Sequence, residues 1–167
     1  MSYADLWQGA QTLSKQKSSF GIHTQLYEIS ESQPAAMMTF AQFDYGRSDL
    51  FQTETRVGFS VANFYIGLFS KYQFHATKTW EMALMGGLQF QNYLSVATDL
   101  IWSTRWETVE LYGSLHLVVP LQAGSFGMGL IPGFDFKLSR WMVIYLEADI
   151  NIAGYFNAGS LGFRYFI

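Results

Sequence analysis

Charged side chains recur at alternate positions in several segments of this 167-residue sequence and are its main source of chemistry. Six acids and four bases make up the set Glu54, Arg56, Lys71, Glu81, Glu110, Asp135, Lys137, Glu147, Asp149 and Arg164, and Asp99 belongs with them. Because a buried charge is stable only when it is compensated, side chains of both signs on one face predict a charge network. The alternative is a water-filled pore lined by the same side chains, whose excess of acids would favour small cations.

A second candidate for chemistry is the pair Ser114 and His116, which lie two residues apart with Glu110 on the same segment. A serine, a histidine and a carboxylate can act as nucleophile, base and orienting group in a hydrolase. Glu147 or Asp149 could supply the carboxylate from another segment. This triad is the less favoured interpretation, and we predict no catalytic residue.

Metal and cofactor chemistry find little support in the remaining residues. His23 and His75 have no partners at the spacing of metal ligands. The glycines at 86–87 and 127–129 lie in alternating, strand-like sequence, where glycine permits a bend, and not in a phosphate-binding loop. We therefore predict neither a metal site nor a cofactor.

The elements that must position these residues are β-strands, because apolar and polar residues alternate with a period of two from Ser18 onward. In the clearest segment, Phe51, Val57 and Phe59 share one face while Glu54 and Arg56 share the other. The polar turn at 91–92 divides the stretch 80–102 into two strands; eight strands is the alternative if that stretch is continuous. The sequence predicts ten strands, at about 18–30, 35–45, 50–61, 63–74, 80–90, 93–102, 107–119, 124–137, 141–151 and 159–167.

The composition decides what those strands can build. Apolar residues make up 50% of the chain and charged residues only 14%, against roughly 25% charged in an average soluble domain. No window holds the ~18 consecutive apolar residues of a membrane helix. A closed sheet is the other structure that satisfies every backbone group in lipid. The net charge of -3, without a basic cluster, argues against nucleic acid as a partner.

The last segment carries a resemblance to a known family. Leu161, Phe163, Tyr165 and Ile167 alternate with small or polar residues up to the final position. This ending resembles the C-terminal signature of bacterial outer-membrane β-barrels, although Ile167 stands where that family most often has phenylalanine. The resemblance implies an outer-membrane location and contact with lipid and lipopolysaccharide. It also implies that the barrel-assembly machinery reads Phe163, Tyr165 and Ile167.

Residues 1–17 differ from the rest of the chain and are expected to form a leader in front of a barrel that spans 18–167. Leu6, Trp7, Ala10 and Leu13 fall at helical spacing. The segment is therefore either a disordered or loosely helical leader, or a short amphipathic helix at the membrane interface, as in the lipid A palmitoyltransferase barrels it resembles. Neither a basic n-region nor an apolar h-region follows Met1, so we expect that an export signal has been removed.

The fold class predicted is a closed antiparallel up-and-down transmembrane β-barrel. Its predicted function is non-enzymatic: a structural or anchoring barrel, alone or with an envelope protein as partner, with a narrow pore as a variant. The alternative is a lipid-modifying enzyme of the lipid A acyl hydrolase or transferase type, but in such hydrolases the serine follows the histidine, the reverse of Ser114 and His116. A soluble lipocalin-like binder is disfavoured by the low charge.

Overall fold

The computed structural model describes residues 9–27, 36–61, 63–122, 126–153 and 157–167. Ten antiparallel strands follow one another in chain order around a closed barrel. The strands are β1 (Ser18–Tyr27), β2 (Ala36–Ser48), β3 (Phe51–Phe59), β4 (Phe64–Ala76), β5 (Trp80–Phe90), β6 (Leu94–Trp106), β7 (Val109–Pro120), β8 (Gly127–Lys137), β9 (Met142–Ala153) and β10 (Ala158–Phe166).

The barrel closes between its first and last strands. β1 pairs with β10 from Ser19 opposite Phe166 to Tyr27 opposite Ala158. The stretch 80–102 is divided into β5 and β6, which pair antiparallel across the bend at 91–93. The ten-stranded barrel is therefore confirmed and the eight-stranded alternative is wrong.

The two faces of the sheet separate by residue parity. Large apolar side chains point outward along the strands, as shown by Leu68 and Leu161, each 58% exposed, and by Phe59, 60% exposed. Their neighbours in sequence point inward and are buried, as in the β3 pattern that buries Gln52, Glu54 and Arg56. The exterior is thus apolar and most of the ionisable side chains of the strands lie inside, the reverse of a soluble protein.

The ladders depart from regular pairing at several points, including the β8–β9 and β2–β3 pairs. The β8–β9 ladder passes from Leu130 opposite Ile150 to Gly133 opposite Glu147 and leaves out residues 131–132, of which Pro132 has no N–H to donate. The β2–β3 register shifts between Gly46 and Ser48, and β2 extends to Ser48, past the strand end predicted at 45.

One end of the barrel, here called the turn rim, bears the tight connections at 49–50, 77–79, 107–108 and 138–141. β1 begins and β10 ends at the same rim, where Ile167 N–H donates to the Ser18 carbonyl at 2.8 Å. The bend at 91–93 lies at the opposite rim, as do Ser60, Val61 and Asn63.

Residues 9–17, here called the inserted segment, enter the barrel from the turn rim in irregular conformation. The chain turns at Lys15 and Gln16, and Gln16 has a positive φ of 63°. The helix considered for residues 1–17 is absent from this described part; Leu6 and Trp7 lie outside the described residues. No helix in the described ranges is long and apolar enough to cross a membrane.

Candidate functional site

The barrel interior gathers most of the charged residues singled out by the sequence. Buried there are Glu54, Arg56, Lys71, Asp99, Asp135, Glu147, Asp149 and Arg164. Glu81 and Glu110 are half-buried near the turn rim. Lys137 is exposed and corrects the prediction of a lumen position: it has the inward parity of Asp135, but as the last residue of β8 it reaches solvent at the rim.

An ion cluster crosses the interior between β1, β2, β3 and β10. Glu54 forms an ion pair with Arg56, its neighbour on the same face of β3. Arg164 Nε lies 3.8 Å from Asp44 Oδ2. Asp44 also accepts hydrogen bonds from Ser19 Oγ and Gln42 Nε2, each at 2.5 Å. The strands hold this cluster together through register, since Asp44 is opposite Ser19 on β1 and Glu54 on β3.

Sequence reasoning missed Asp44 as a member of this site. Its side chain is completely buried, between the outward-facing residues Phe43 and Tyr45. Alternation along β2 indicates that the Asp44 carboxylate faces inward. Only the pairing of β1 with both β2 and β10 shows that Arg164 approaches it.

Lys71 binds the main chain of the inserted segment. Its Nζ donates hydrogen bonds to the carbonyl oxygens of Gly9 at 3.2 Å and Gln11 at 2.7 Å. Lys71 is 1% exposed, so these bonds lie in an environment of low dielectric, where a charged donor binds strongly.

Side chains from several strands hold the rest of the inserted segment. Ser103 Oγ accepts from Ala10 N–H at 3.1 Å, and Gln52 Oε1 accepts from Leu13 N–H at 2.9 Å. Thr12 Oγ1 donates to the carbonyl of Asp49 at 2.7 Å. The lumen is thus occupied at the turn rim by the chain itself, with each backbone group named here satisfied by a polar partner.

Two clusters of buried apolar residues fill further parts of the interior. The first cluster consists of Ala10, Phe69, Ala83, Met85, Ala97, Ile101, Tyr112, Val118 and Ile131. The second consists of Tyr27, Met38, Phe40, Tyr65 and Tyr145. Phe40 stacks on His23 at 4.7 Å between ring centroids and meets Tyr65 edge-on at 5.4 Å. The sequence already signalled this filling, because Phe40 and Tyr65 occupy positions of inward parity.

Ser114 and His116 share a carboxylate that the sequence analysis did not assign to them. Asp99 Oδ1 accepts from Ser114 Oγ at 3.1 Å and lies 2.6 Å from His116 Nδ1. The carboxylate thus stands between serine and histidine, whereas a triad requires the histidine between the other two. Glu147 instead accepts from Tyr112 at 2.7 Å. The arrangement satisfies buried polar groups and does not activate Ser114.

Arg105 organises a more exposed cluster at the turn rim. Its Nη2 lies 2.9 Å from Glu110 Oε2 and 3.6 Å from Glu81 Oε2, and it donates to Gln11 Oε1 at 2.7 Å. Sequence reasoning placed Arg105 in a turn, but β6 continues to Trp106. This cluster connects β5, β6 and β7 to the inserted segment.

Among the residues that the structure describes, no group of three or more histidine, cysteine, aspartate or glutamate side chains is arranged to hold a metal ion.

The fold and interior define a class of protein: a ten-stranded antiparallel barrel with an apolar exterior and an interior that holds charged and polar residues beside two apolar clusters. No protein-family model matches the chain, and no curated protein matches it.

Among solved structures, the chain is similar to the KdgM porin, with a TM-score of 0.61 and 8% identity over 88% of this chain and 98% of that one. It is also similar to the COG4313 outer membrane channel from Pseudomonas putida F1, with a TM-score of 0.60 and 8% identity over 98% of this chain and 99% of that one. The NanC porin gives a TM-score of 0.55 and 11% identity, over 89% and 98%. At such low identities the likeness is one of fold.

Proposed function

We propose that this chain is a non-enzymatic β-barrel of the bacterial outer membrane with a structural or anchoring role and a closed lumen. The observation that carries the proposal is the inversion of polarity: paired charges lie inside while leucine and phenylalanine cover the outer wall. Soluble proteins rarely expose apolar patches larger than a few hundred Å². An exterior that is apolar around the whole barrel fits hydrocarbon.

Aromatic residues at the turn rim support this location. Trp80, Trp106 and Trp141 are 41%, 56% and 43% exposed, and they lie at the rim ends of neighbouring hairpins. Tryptophan prefers the headgroup level of a membrane, where its ring is half in hydrocarbon and its N–H reaches water. A barrel in the outer membrane would place this girdle at one interface.

The partners proposed for this role follow from the outer wall. Phe163, Tyr165 and Ile167 lie exposed on the outside of β10 and at its end, where the barrel-assembly machinery could read them as the chain arrives at the membrane. Lipopolysaccharide and phospholipid would cover the remaining wall, and an envelope protein could use the barrel as its anchor.

A closed structural barrel is favoured over a pore because the inserted segment and the two apolar clusters occupy the lumen. A narrow pore is the second candidate, supported by one observation. Residues 9–13 belong to no strand, and their backbone groups bond to the side chains of Lys71, Ser103 and Gln52. They could therefore leave the lumen without breaking the barrel ladder.

The enzymatic alternative has weaker support. Ser114 is fully buried, and its hydroxyl donates to Asp99 and not to His116. Lipid outside the barrel would have to cross the wall to reach it.

Two measurements on the full chain test the proposal. The detergent-refolded protein should migrate faster on a gel before boiling than after it, since an unboiled barrel stays compact. In planar bilayers it should give no steady conductance, because the lumen is filled. Dispersal without detergent would contradict the membrane location, and steady conductance of the wild type would favour the pore.

A further inference from the structure

A cavity of about 270 Å³ opens at the turn rim between the inserted segment and the wall made by β6 to β10. The inserted segment contributes Gly9, Gln11, Thr12 and Leu13 to one side. The opposite side includes Asp135, Lys137, Arg140 and Arg164. Its volume is near the lower limit of small-molecule sites, so it suits a ligand the size of an amino acid or a dipeptide.

Arg164 gives this cavity a buried cationic donor. The side chain is 4% exposed, and its Nε lies 3.8 Å from Asp44 Oδ2. Its Nη2 is buried and has no hydrogen-bond partner among the described residues. A buried guanidinium N–H without an acceptor costs free energy, which an incoming carboxylate would recover by a charge-assisted hydrogen bond.

Asp135 supplies a complementary acceptor on the same cavity wall. It is 8% exposed, and its Oδ1 has no hydrogen-bond partner among the residues that the structure describes. The register places it close to Arg164: Asp135 is opposite Tyr145 on β9, and the next inward residue of β9, Val143, is opposite Arg164 on β10. An ammonium group could donate to this oxygen.

The distribution of charge decides which class of ligand fits. A simple anion would reach Arg164, with Lys137 and Arg140 near the mouth, but it would also meet the carboxylates of Asp135 and Glu107, which line the same cavity. A simple cation would reach the carboxylate of Asp135 but would also meet the guanidinium group of Arg164. Arg105 does not change this balance, because it is paired with Glu110. A ligand with one charge of each sign satisfies both buried groups.

We infer that this cavity binds a small zwitterion that carries a carboxylate and an ammonium group, of the amino acid or dipeptide class. Arg164 donates to the carboxylate and Asp135 accepts from the ammonium. Ligand binding in this cavity is separate from the proposed structural role. It requires only that water reaches the turn rim.

The first test compares three probes with the full chain refolded in detergent micelles. L-alanyl-L-alanine, acetate and methylammonium are titrated in turn, and binding is followed by calorimetry. The dipeptide should bind at least about tenfold more tightly than either single-charge probe, since each of these lacks one charge-assisted bond. Equal affinity for acetate and the dipeptide would overturn the inference in favour of a plain anion site. No binding of the dipeptide would overturn it outright.

Variants test the two residues separately. Arg164→Gln should weaken binding of the dipeptide by roughly tenfold or more, whereas Arg47→Gln, an exposed arginine at the end of β2, should leave it unchanged. Asp135→Asn should reduce the preference for the dipeptide over acetate, because it removes the negative charge that attracts the ammonium group and repels the anion. A general loss of structure would weaken both probes together. An unchanged ratio of the two affinities in Asp135→Asn would therefore overturn the assignment, while the compact gel band of each variant reports that the barrel has formed.

Discussion

Lys71 Nζ donates a hydrogen bond of 2.7 Å to the backbone carbonyl of Gln11, so a buried cation on β4 holds the inserted segment within the barrel. The same Nζ donates to the Gly9 carbonyl at 3.2 Å. The sequence predicts a place for Lys71 in a charge network, and in the structure its ammonium group binds main-chain carbonyls.

Replacing Lys71 by methionine should loosen the inserted segment while the strands remain paired. A hydrogen bond from a charged donor contributes about 1.5–3 kcal/mol, so the free energy of unfolding in detergent should fall by that order. Limited proteolysis should also cut within residues 9–17 sooner than in the wild type. The matched control is Lys78→Met, in the exposed turn between β4 and β5. Identical behaviour of Lys71→Met and wild type would show that the segment is held by other contacts.

Arginine on the outer wall should destabilise the barrel in lipid. Leu115→Arg and Ile144→Arg each place a charge on the apolar exterior, and each should lower the free energy of unfolding by roughly 2–4 kcal/mol if it lies near the bilayer midplane. Leu121→Arg, at the opposite rim just beyond β7, is the control and should cost about 0–1 kcal/mol. Chemical unfolding in lipid vesicles measures all three. Equal costs at the three positions would contradict a membrane-embedded wall.

Glu54 and Arg56 should be strongly coupled. Glu54→Gln or Arg56→Gln alone leaves a buried charge uncompensated and should cost about 3–5 kcal/mol, whereas the double variant should cost less than the sum of the two. A double-mutant cycle on detergent-refolded protein gives the coupling energy. Arg105 and Glu110 form the comparison pair: the Arg105 side chain is 36% exposed, so their coupling should stay within about 0–1 kcal/mol. Additive effects at Glu54 and Arg56 would indicate a hydrated lumen.

Removing residues 165–167 should prevent the barrel from closing in cells. Tyr165 is opposite Phe20 on β1, and Ile167 N–H donates to the Ser18 carbonyl at 2.8 Å. Without these residues, backbone groups of β1 would lie bare at the membrane boundary, at a cost of several kcal/mol each. Expressed with an export signal, the deletion variant should be lost from the outer-membrane fraction, whereas Ile167→Phe should be retained. Normal delivery of the deletion variant, with resistance to protease, would contradict the role given to this strand.

Alternation along single strands was enough to predict the barrel and its two faces. Phe51, Val57 and Phe59 lie on the outer face of β3, and Glu54 and Arg56 lie inside, because parity alone assigns a residue to one side of a sheet. Parity does not give depth along the barrel axis, and Lys137 was misplaced for that reason.

The contacts of the candidate site depend on register between distant strands, which alternation does not contain. Asp99 meets Ser114 and His116 only because β6 and β7 pair with Asp99 opposite His116. The inserted segment was harder still to foresee. Its bonds join backbone groups to side chains far away in sequence, such as Ala10 to Ser103, and neither periodicity nor propensity reports them.

The place of the inserted segment, immediately before β1, sets an order of events for assembly. Its partners Gln52, Lys71 and Ser103 lie on β3, β4 and β6, whose hairpins form from neighbouring residues and need no closure. The β1–β10 seam joins opposite ends of the chain and carries the largest entropic cost of loop closure. The wall can therefore curl around the segment while the seam is open, and pairing of β1 with β10 then encloses the segment. In this order of steps, the barrel closes around its own inserted segment.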